Sequence, residues 1–129
     1  LYRVAQLQLT PNEELVRMIG EMTRRPSIVM SRGVDLELFS PDKRSRDDDA
    51  FVIGYVGRLR PEKNVRFLTE IDAGLKSAKV RNYKFVIVGE GSDSDWLKKN
   101  LSNAALTGVL HGEELARAYA DMDLFVFPS

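Results

Sequence analysis

Apolar side chains recur along this chain with two different periods, and the switches between them mark its elements. Over Phe51–Val56 and in the run Phe85-Val86-Ile87-Val88 of Tyr83–Val88, both alternating faces are apolar, which predicts strands covered on both sides. Between them Leu68, Ile71 and Leu75 repeat on one side of a 3.6-residue period and predict a helix over 64–78. Trp96, Leu97 and Leu101 predict a second helix over 94–101, with Trp96 packed in or against the core rather than stacked on a ligand. A weak strand over 106–110, a helix over 113–120 and a strand over 124–127 follow. Strands alternating with helices predict a parallel sheet with helices on both faces.

The first third carries a weaker version of this pattern. Val4, Leu7 and Leu9 read as a short strand within 1–9, and Thr10-Pro11-Asn12-Glu13 resembles a capping box with Pro at the first helical position. Leu15, Met18, Ile19 and Met22 give the helix its apolar stripe, Arg24-Arg25-Pro26 closes it, and a strand over 27–30 completes a β-α-β unit. Residues 42–49 are eight consecutive charged or polar positions, so 42–50 reads as a solvated linker.

Composition narrows the function classes. With 19 Lys plus Arg against 19 Asp plus Glu, no overall field draws the chain to nucleic acid or an anionic membrane, and any anion site must be local. Cysteine is absent, which excludes disulfides, thiolate metal sites and thiol nucleophiles, and a cytoplasmic protein is the expectation. No apolar run approaches the ~20 residues of a membrane span. The strand-like opening without an initiator Met reads as a cut from a longer protein.

In an open parallel sheet, ligands collect where strands end and helices begin, because free N–H groups there favour anions. After Val56 the chain reads Gly57-Arg58-Leu59-Arg60-Pro61-Glu62-Lys63-Asn64. Arg58 can fork two donors onto phosphate oxygens and Lys63 offers a mobile charge, so the turn has the parts of a diphosphate cradle. The alternative is a solvated basic turn with Glu62 paired to a neighbour, and Arg60 reads as surface. After Val88, Gly89-Glu90-Gly91 would let backbone approach a ligand, with Ser92 or Asp93 capping the next helix; the dinucleotide spacing G-x-G-x-x-G is missing. His111, the single histidine, sits beside Gly112 at the expected ligand edge, where its backbone is a better candidate than its ring. Asp121 and Asp123 lie at the amino end of the last strand, so a structural role is expected. No metal-ligand cluster is visible.

The ordered motifs Arg32-Gly33-Val34-Asp35, Phe39-Ser40-Pro41, Gly54-Tyr55-Val56-Gly57-Arg58-Leu59, Pro61-Glu62-Lys63-Asn64, Val86-Ile87-Val88-Gly89-Glu90-Gly91 and Asp123-Leu124-Phe125-Val126-Phe127-Pro128-Ser129 resemble the large retaining glycosyltransferase family with two Rossmann-like domains, the GT-B type group 1 glycosyl transferases. Within it, Arg-Gly-Val-Asp is similar to bacterial mannosyltransferases and sulfolipid-type members. The resemblance implies that 1–41 is the tail of an acceptor-side domain, 42–50 the linker, and 51–129 the first half of a Rossmann-like donor domain. It assigns Gly57, Arg58 and Lys63 to the donor diphosphate, Gly89, Glu90 and Gly91 to close approach by the nucleotide, and the backbone of Leu110, His111 and Gly112 to the base. It implies a UDP- or GDP-linked sugar as substrate, no resident cofactor or metal, retention of configuration, and a lipid or carbohydrate acceptor, with the complete enzyme cytoplasmic or peripheral to a membrane.

In the family, two Glu follow the Pro-Ser motif, and the catalytic His or Asp region lies in the acceptor-side domain. No catalytic residue is therefore assigned within these 129 residues. They are expected to be inactive alone, to bind donor weakly or not at all, and to self-associate through an unpaired sheet edge. A sugar-nucleotide epimerase and a non-enzymatic α/β binding module stand as alternatives: the first lacks a visible catalytic carboxylate or His set, and the second would leave the basic turn as mere surface.

Overall fold

The computed structural model describes residues 4–30 and 33–129; Arg32 of the Arg-Gly-Val-Asp motif and the first residues of the opening strand pattern lie outside them. The chain divides into two compact units, Leu1–Asp35 and Leu36–Ser129.

The first unit is a β-α-β motif in which β1 (Gln8–Thr10) pairs in parallel with β2 (Ser27–Val29) around α1 (Glu13–Thr23). The cap of α1 differs from expectation. Thr10 is still the last residue of β1, so the cap falls on Asn12, whose Oδ1 accepts the Leu15 N–H at 2.9 Å. Glu13 and Glu14 occupy the first turn, where they complement the helix dipole. Arg24, in the left-handed region at φ 54°, donates its N–H to the Gly20 carbonyl and ends the helix.

The second unit contains β3 (Phe51–Val56), α2 (Phe67–Ser77), β4 (Tyr83–Val88), α3 (Ser94–Asn100), β5 (Ala104–Gly108), α4 (Gly112–Ala120) and β6 (Leu124–Phe125). The strands run parallel in the order β5-β4-β3-β6, so the two strands whose faces are both apolar are the central ones. Ile53, Tyr55, Phe85 and Ile87 share one face and form the core with Leu68 and Leu97 of the helices that follow and with Leu101, which caps α3. Ile71, Leu75 and Trp96 pack against that core while half-exposed. On the other face α4 buries Ala116, and Met122 lies against Gly54, where an added Cβ would come within 2.0 Å of its sulfur. Buried Asp72 accepts the Tyr83 hydroxyl at 2.7 Å and Lys76 Nζ at 2.6 Å; burial, then this carboxylate, push the Tyr83 hydroxyl up to about 12.

Several boundaries move from the sequence expectation, β1 among them, whose pairing is confined to Gln8–Thr10. The α2 helix starts at Phe67 rather than 64, because Pro61–Lys63 forms a 3-10 turn that Asn64 ends in the left-handed region at φ 48°, a conformation Asn tolerates. The β5 strand begins and ends two residues earlier than the expected 106–110, because its partner β4 starts its pairing with Ala104 opposite Phe85 and ends it with Gly108 opposite Val88. The β6 pairing ends at Phe125 instead of 127.

Residues 42–50 differ more. They face solvent, but they are not a free linker. Lys43 reaches Glu113 at 3.2 Å, Arg44 reaches Asp123 at 2.7 Å, and the Ser45 N–H and hydroxyl donate to Asp121 at 2.7 and 2.9 Å. Arg46 pairs with Asp123 and donates to the Asp121 carbonyl, while Lys84 reaches Asp48 at 2.6 Å. Charge pattern reported the exposure correctly, but not the partners waiting on distant elements. Within the unit that begins at Leu36, the Phe39 ring lies 6.0 Å from that of Tyr119. Asp121 and Asp123 are thus anchors, and the Val52 backbone N–H followed by Arg44 holds the Asp123 carboxyl down to about 2.

Leu124, Phe125 and Phe127 are 47, 44 and 55% exposed. Among the described residues, no helix is long and apolar enough to cross a membrane.

Candidate functional site

Because the four strands are parallel, their carboxyl ends lie along one edge, and the turns after Val56, Val88, Gly108 and Phe125 gather there. The first two are clasped to each other. Gly57 donates its N–H to the Val88 carbonyl at 2.9 Å, and Leu59, fully buried, donates to the Glu90 carbonyl at 2.9 Å while its own carbonyl accepts from Asp93 at 2.9 Å. An added Cβ at Gly89 would sit 1.9 Å from the Gly57 carbonyl oxygen, and one at Gly91 would sit 2.1 Å from that of Leu59. Both glycines are therefore required for chain-against-chain packing, whatever ligand the turn meets; Gly89 also has φ 131°, a region natural to glycine.

The clasp creates a cleft of about 260 Å³ lined by Val56, Gly57, Arg58, Val88, Gly89, Glu90, Val109, Leu110 and Leu115. An adjoining hollow of about 290 Å³ is lined by Gly89, Glu90, Gly91, Ser94, Lys98, Leu106 and Gly108. Each is near the lower end of the size range of small-molecule sites. Of the residues singled out from sequence, Gly57, Arg58, Gly89, Glu90 and Leu110 meet in the first hollow and Gly91 joins in the second.

Lys63, His111 and Gly112 line neither hollow. Lys63 holds its ammonium 5.3 Å from the centre of the Phe127 ring, and the neighbouring Asn64 donates to the Pro128 carbonyl at 3.5 Å, so this turn is drawn toward the end of the last strand. Arg58 is 65% exposed with Nη2 3.7 Å from Glu62, the pairing a solvated basic turn would make. An exposed pair of this spacing contributes only ~0.3–0.5 kcal/mol, so a phosphate can displace the carboxylate. His111 occupies the N-cap position of α4, exposed and without a side-chain capping bond, and Gly112 follows at φ 49°.

Sequence reasoning missed one cluster. Asp93 holds the N-cap position of α3, yet its side chain makes no capping bond. Its buried carboxylate takes Arg66 Nη2 at 2.8 Å and Nε at 3.3 Å on Oδ1, and Arg66 in turn lies 4.8 Å over the Trp96 ring. Ser94 Oγ instead accepts the Gly91 N–H at 3.1 Å. Arg66 carried no signal, being one charged residue in a basic stretch. Among the described residues, no group of three or more His, Asp or Glu could hold a metal ion.

The family model described as "Glycosyl transferases group 1" matches residues 50–129. A GDP-mannose-dependent alpha-mannosyltransferase of Mycobacterium tuberculosis is 37% identical over 133 residues, covering 98% of this chain and 34% of the relative. A sulfoquinovosyl transferase of Arabidopsis thaliana is 29% identical over 143 residues, covering 100% of this chain and 27% of the relative. The chain spans about a third of the length of the mannosyltransferase relatives it matches, 34% and 32% in two of them. Among solved structures, a pneumococcal O-GlcNAc transferase in complex with UDP and GlcNAc matches with a TM-score of 0.72 at 14% identity, over 94% of this chain and 25% of that one. Anabaena HepE in complex with UDP and glucose matches with a TM-score of 0.60 at 19% identity, over 94% of this chain and 37% of that one. These likenesses are of fold, the α/β arrangement of the GT-B glycosyltransferases. With the family model spanning the whole sheet of the second unit, the chain belongs to the group 1 family of glycosyl transferases.

Proposed function

We propose that residues 51–129 form the donor-facing part of an enzyme that moves a hexose from a nucleoside-diphosphate donor to a lipid or carbohydrate acceptor, with retention of configuration and no resident cofactor. The carrying observation is the cleft of about 260 Å³ in which Gly57, Arg58, Gly89, Glu90 and Leu110 meet at the carboxyl edge of the sheet. In this reading Gly57 and the Gly89-Glu90-Gly91 turn present backbone to the nucleotide, Arg58 forks onto the diphosphate, and Lys63 leaves the Phe127 ring to neutralise it. The backbone at Leu110, His111 and Gly112 meets the base. Three relatives named GDP-mannose-dependent, at 34–40% identity, make GDP-mannose the donor to test first, ahead of UDP-sugars. These 129 residues bind donor weakly, transfer no sugar alone, and self-associate through the exposed Leu124, Phe125 and Phe127.

Chemical-shift mapping with millimolar GDP, UDP and NAD tests the site. Saturable shifts at Gly57, Arg58, Gly89 and Leu110 that favour GDP are expected. Each charge-assisted phosphate contact contributes about 1.5–3 kcal/mol, so Arg58→Ala and Lys63→Ala should each weaken binding roughly tenfold to a hundredfold. Shifts scattered away from the cleft, or binding indifferent to both substitutions, would remove the assigned roles. Transfer of labelled mannose by the chain alone would overturn its inactivity, and a strictly monomeric sedimentation profile at high concentration would overturn self-association.

A further inference from the structure

We infer that the Arg66–Asp93 pair is the positioning device of the donor site: it holds the turn carrying Arg58 against the turn carrying Gly89 and Gly91, and so sets where the diphosphate contacts stand. The inference rests on the donor reading proposed above. Arg66 lies immediately before α2 and Asp93 immediately before α3, so a bond between them joins the far ends of both turns. Asp93 contributes twice. Its backbone N–H donates to the Leu59 carbonyl at 2.9 Å, and its carboxylate holds Arg66 at 2.8 Å.

The pair is unequal. The Asp93 side chain is 3% exposed, and among the described residues its Oδ2 has no hydrogen-bond partner, so its charge depends on Arg66 and cannot turn to water instead. The Arg66 side chain is 54% exposed and is kept in place by lying over Trp96. Without Arg66 the carboxylate has reason to leave its buried position, and the backbone N–H of the same residue goes with it. That frees Leu59, whose own N–H is held by Glu90, and Arg58 is the residue next to it. Arg66 and Asp93 line neither hollow, so they act on a ligand only through this route.

Amide exchange and GDP-induced shifts in the wild type, Arg66→Ala, Asp93→Asn and Arg66→Lys test this. In folded Arg66→Ala and Asp93→Asn, the Leu59 amide should exchange at least about tenfold faster relative to Tyr55 in β3, an opening that is local rather than global. With shifts extrapolated to saturating GDP, so that weaker binding is compensated by ligand, those at Gly57 and Arg58 should be lost while those at Leu110 and Gly112 reach their wild-type size, and Arg66→Lys should restore part of both effects. A merely structural pair would leave both sets of saturated shifts at their wild-type size or shrink both in the same proportion, and either result overturns the inference, as does unchanged Leu59 exchange in folded Arg66→Ala. If the wild type shows no GDP shifts at the cleft, the donor reading is what has failed; the clasp is then decided by Leu59 exchange alone, faster if the pair holds the turns and unchanged if it does not.

Discussion

Replacing Gly89 with Ala and Gly74 with Ala adds the same methyl group in two settings, and the structure assigns the two changes opposite signs. At Gly89 the new Cβ would lie 1.9 Å from the Gly57 carbonyl oxygen, and φ is 131°. Holding an L-residue there costs about 1–3 kcal/mol. Relieving the overlap requires the turns to part, which releases the bonds from Gly57 to Val88 and from Leu59 to Glu90, about 1 kcal/mol each. The sum is about 3–5 kcal/mol, a large share of the roughly 5–14 kcal/mol expected for a unit of this size. At Gly74, inside α2, nothing lies within 4 Å of the added Cβ, so Ala should stabilise by about 0.5–1 kcal/mol through helix propensity. Urea unfolding followed by the fluorescence of Trp96, the single tryptophan, reads both, with the slope showing whether the denatured reference has changed. The reasoning is refuted by a Gly89→Ala protein within about 1 kcal/mol of wild type at unchanged slope, or by Gly74→Ala proving as damaging.

Three further outcomes are expected. The Asp123 carboxyl is held at about 2 against an ordinary 3.8, so its stabilising contribution is complete above the ordinary value and is lost as pH falls toward 2. Asp123→Asn should be less stable than wild type near neutrality, with the gap narrowing as pH falls through this window; a gap independent of pH in acid denaturation curves would contradict the assignment. Tyr83→Phe leaves the buried Asp72 oxygen without its hydroxyl donor and should cost about 1–3 kcal/mol in the same urea assay, with no change in GDP-induced shifts. His111→Ala should leave those shifts intact, because the exposed ring makes no capping bond; their loss would make the imidazole itself a ligand.

Much of the second unit was legible in the sequence because its central strands are buried on both sides. Phe51–Val56 and the run Phe85–Val88 of the next strand have no polar face, and that pattern marks both strands and their central place. The edge strands were less legible: β5 and β6 have one neighbour each, tolerate exposed residues, and so give weak periodicity at their ends. The place of Arg58 and the glycines at the carboxyl edge was also legible, since strand ends in a parallel sheet collect at one edge. What only the tertiary structure decided is what each of these residues faces. The glycines admit a neighbouring backbone, Lys63 rests on Phe127, and the charges of 42–50 find partners on distant elements, 70 residues later in the Lys43–Glu113 pair and 36 in the Asp48–Lys84 pair. The Arg66–Asp93 pair joins residues 27 positions apart, with neither in a motif. Periodicity records burial, a property of one element at a time, whereas a charge pair depends on the register and closure of several, and that information exists only once the sheet has assembled.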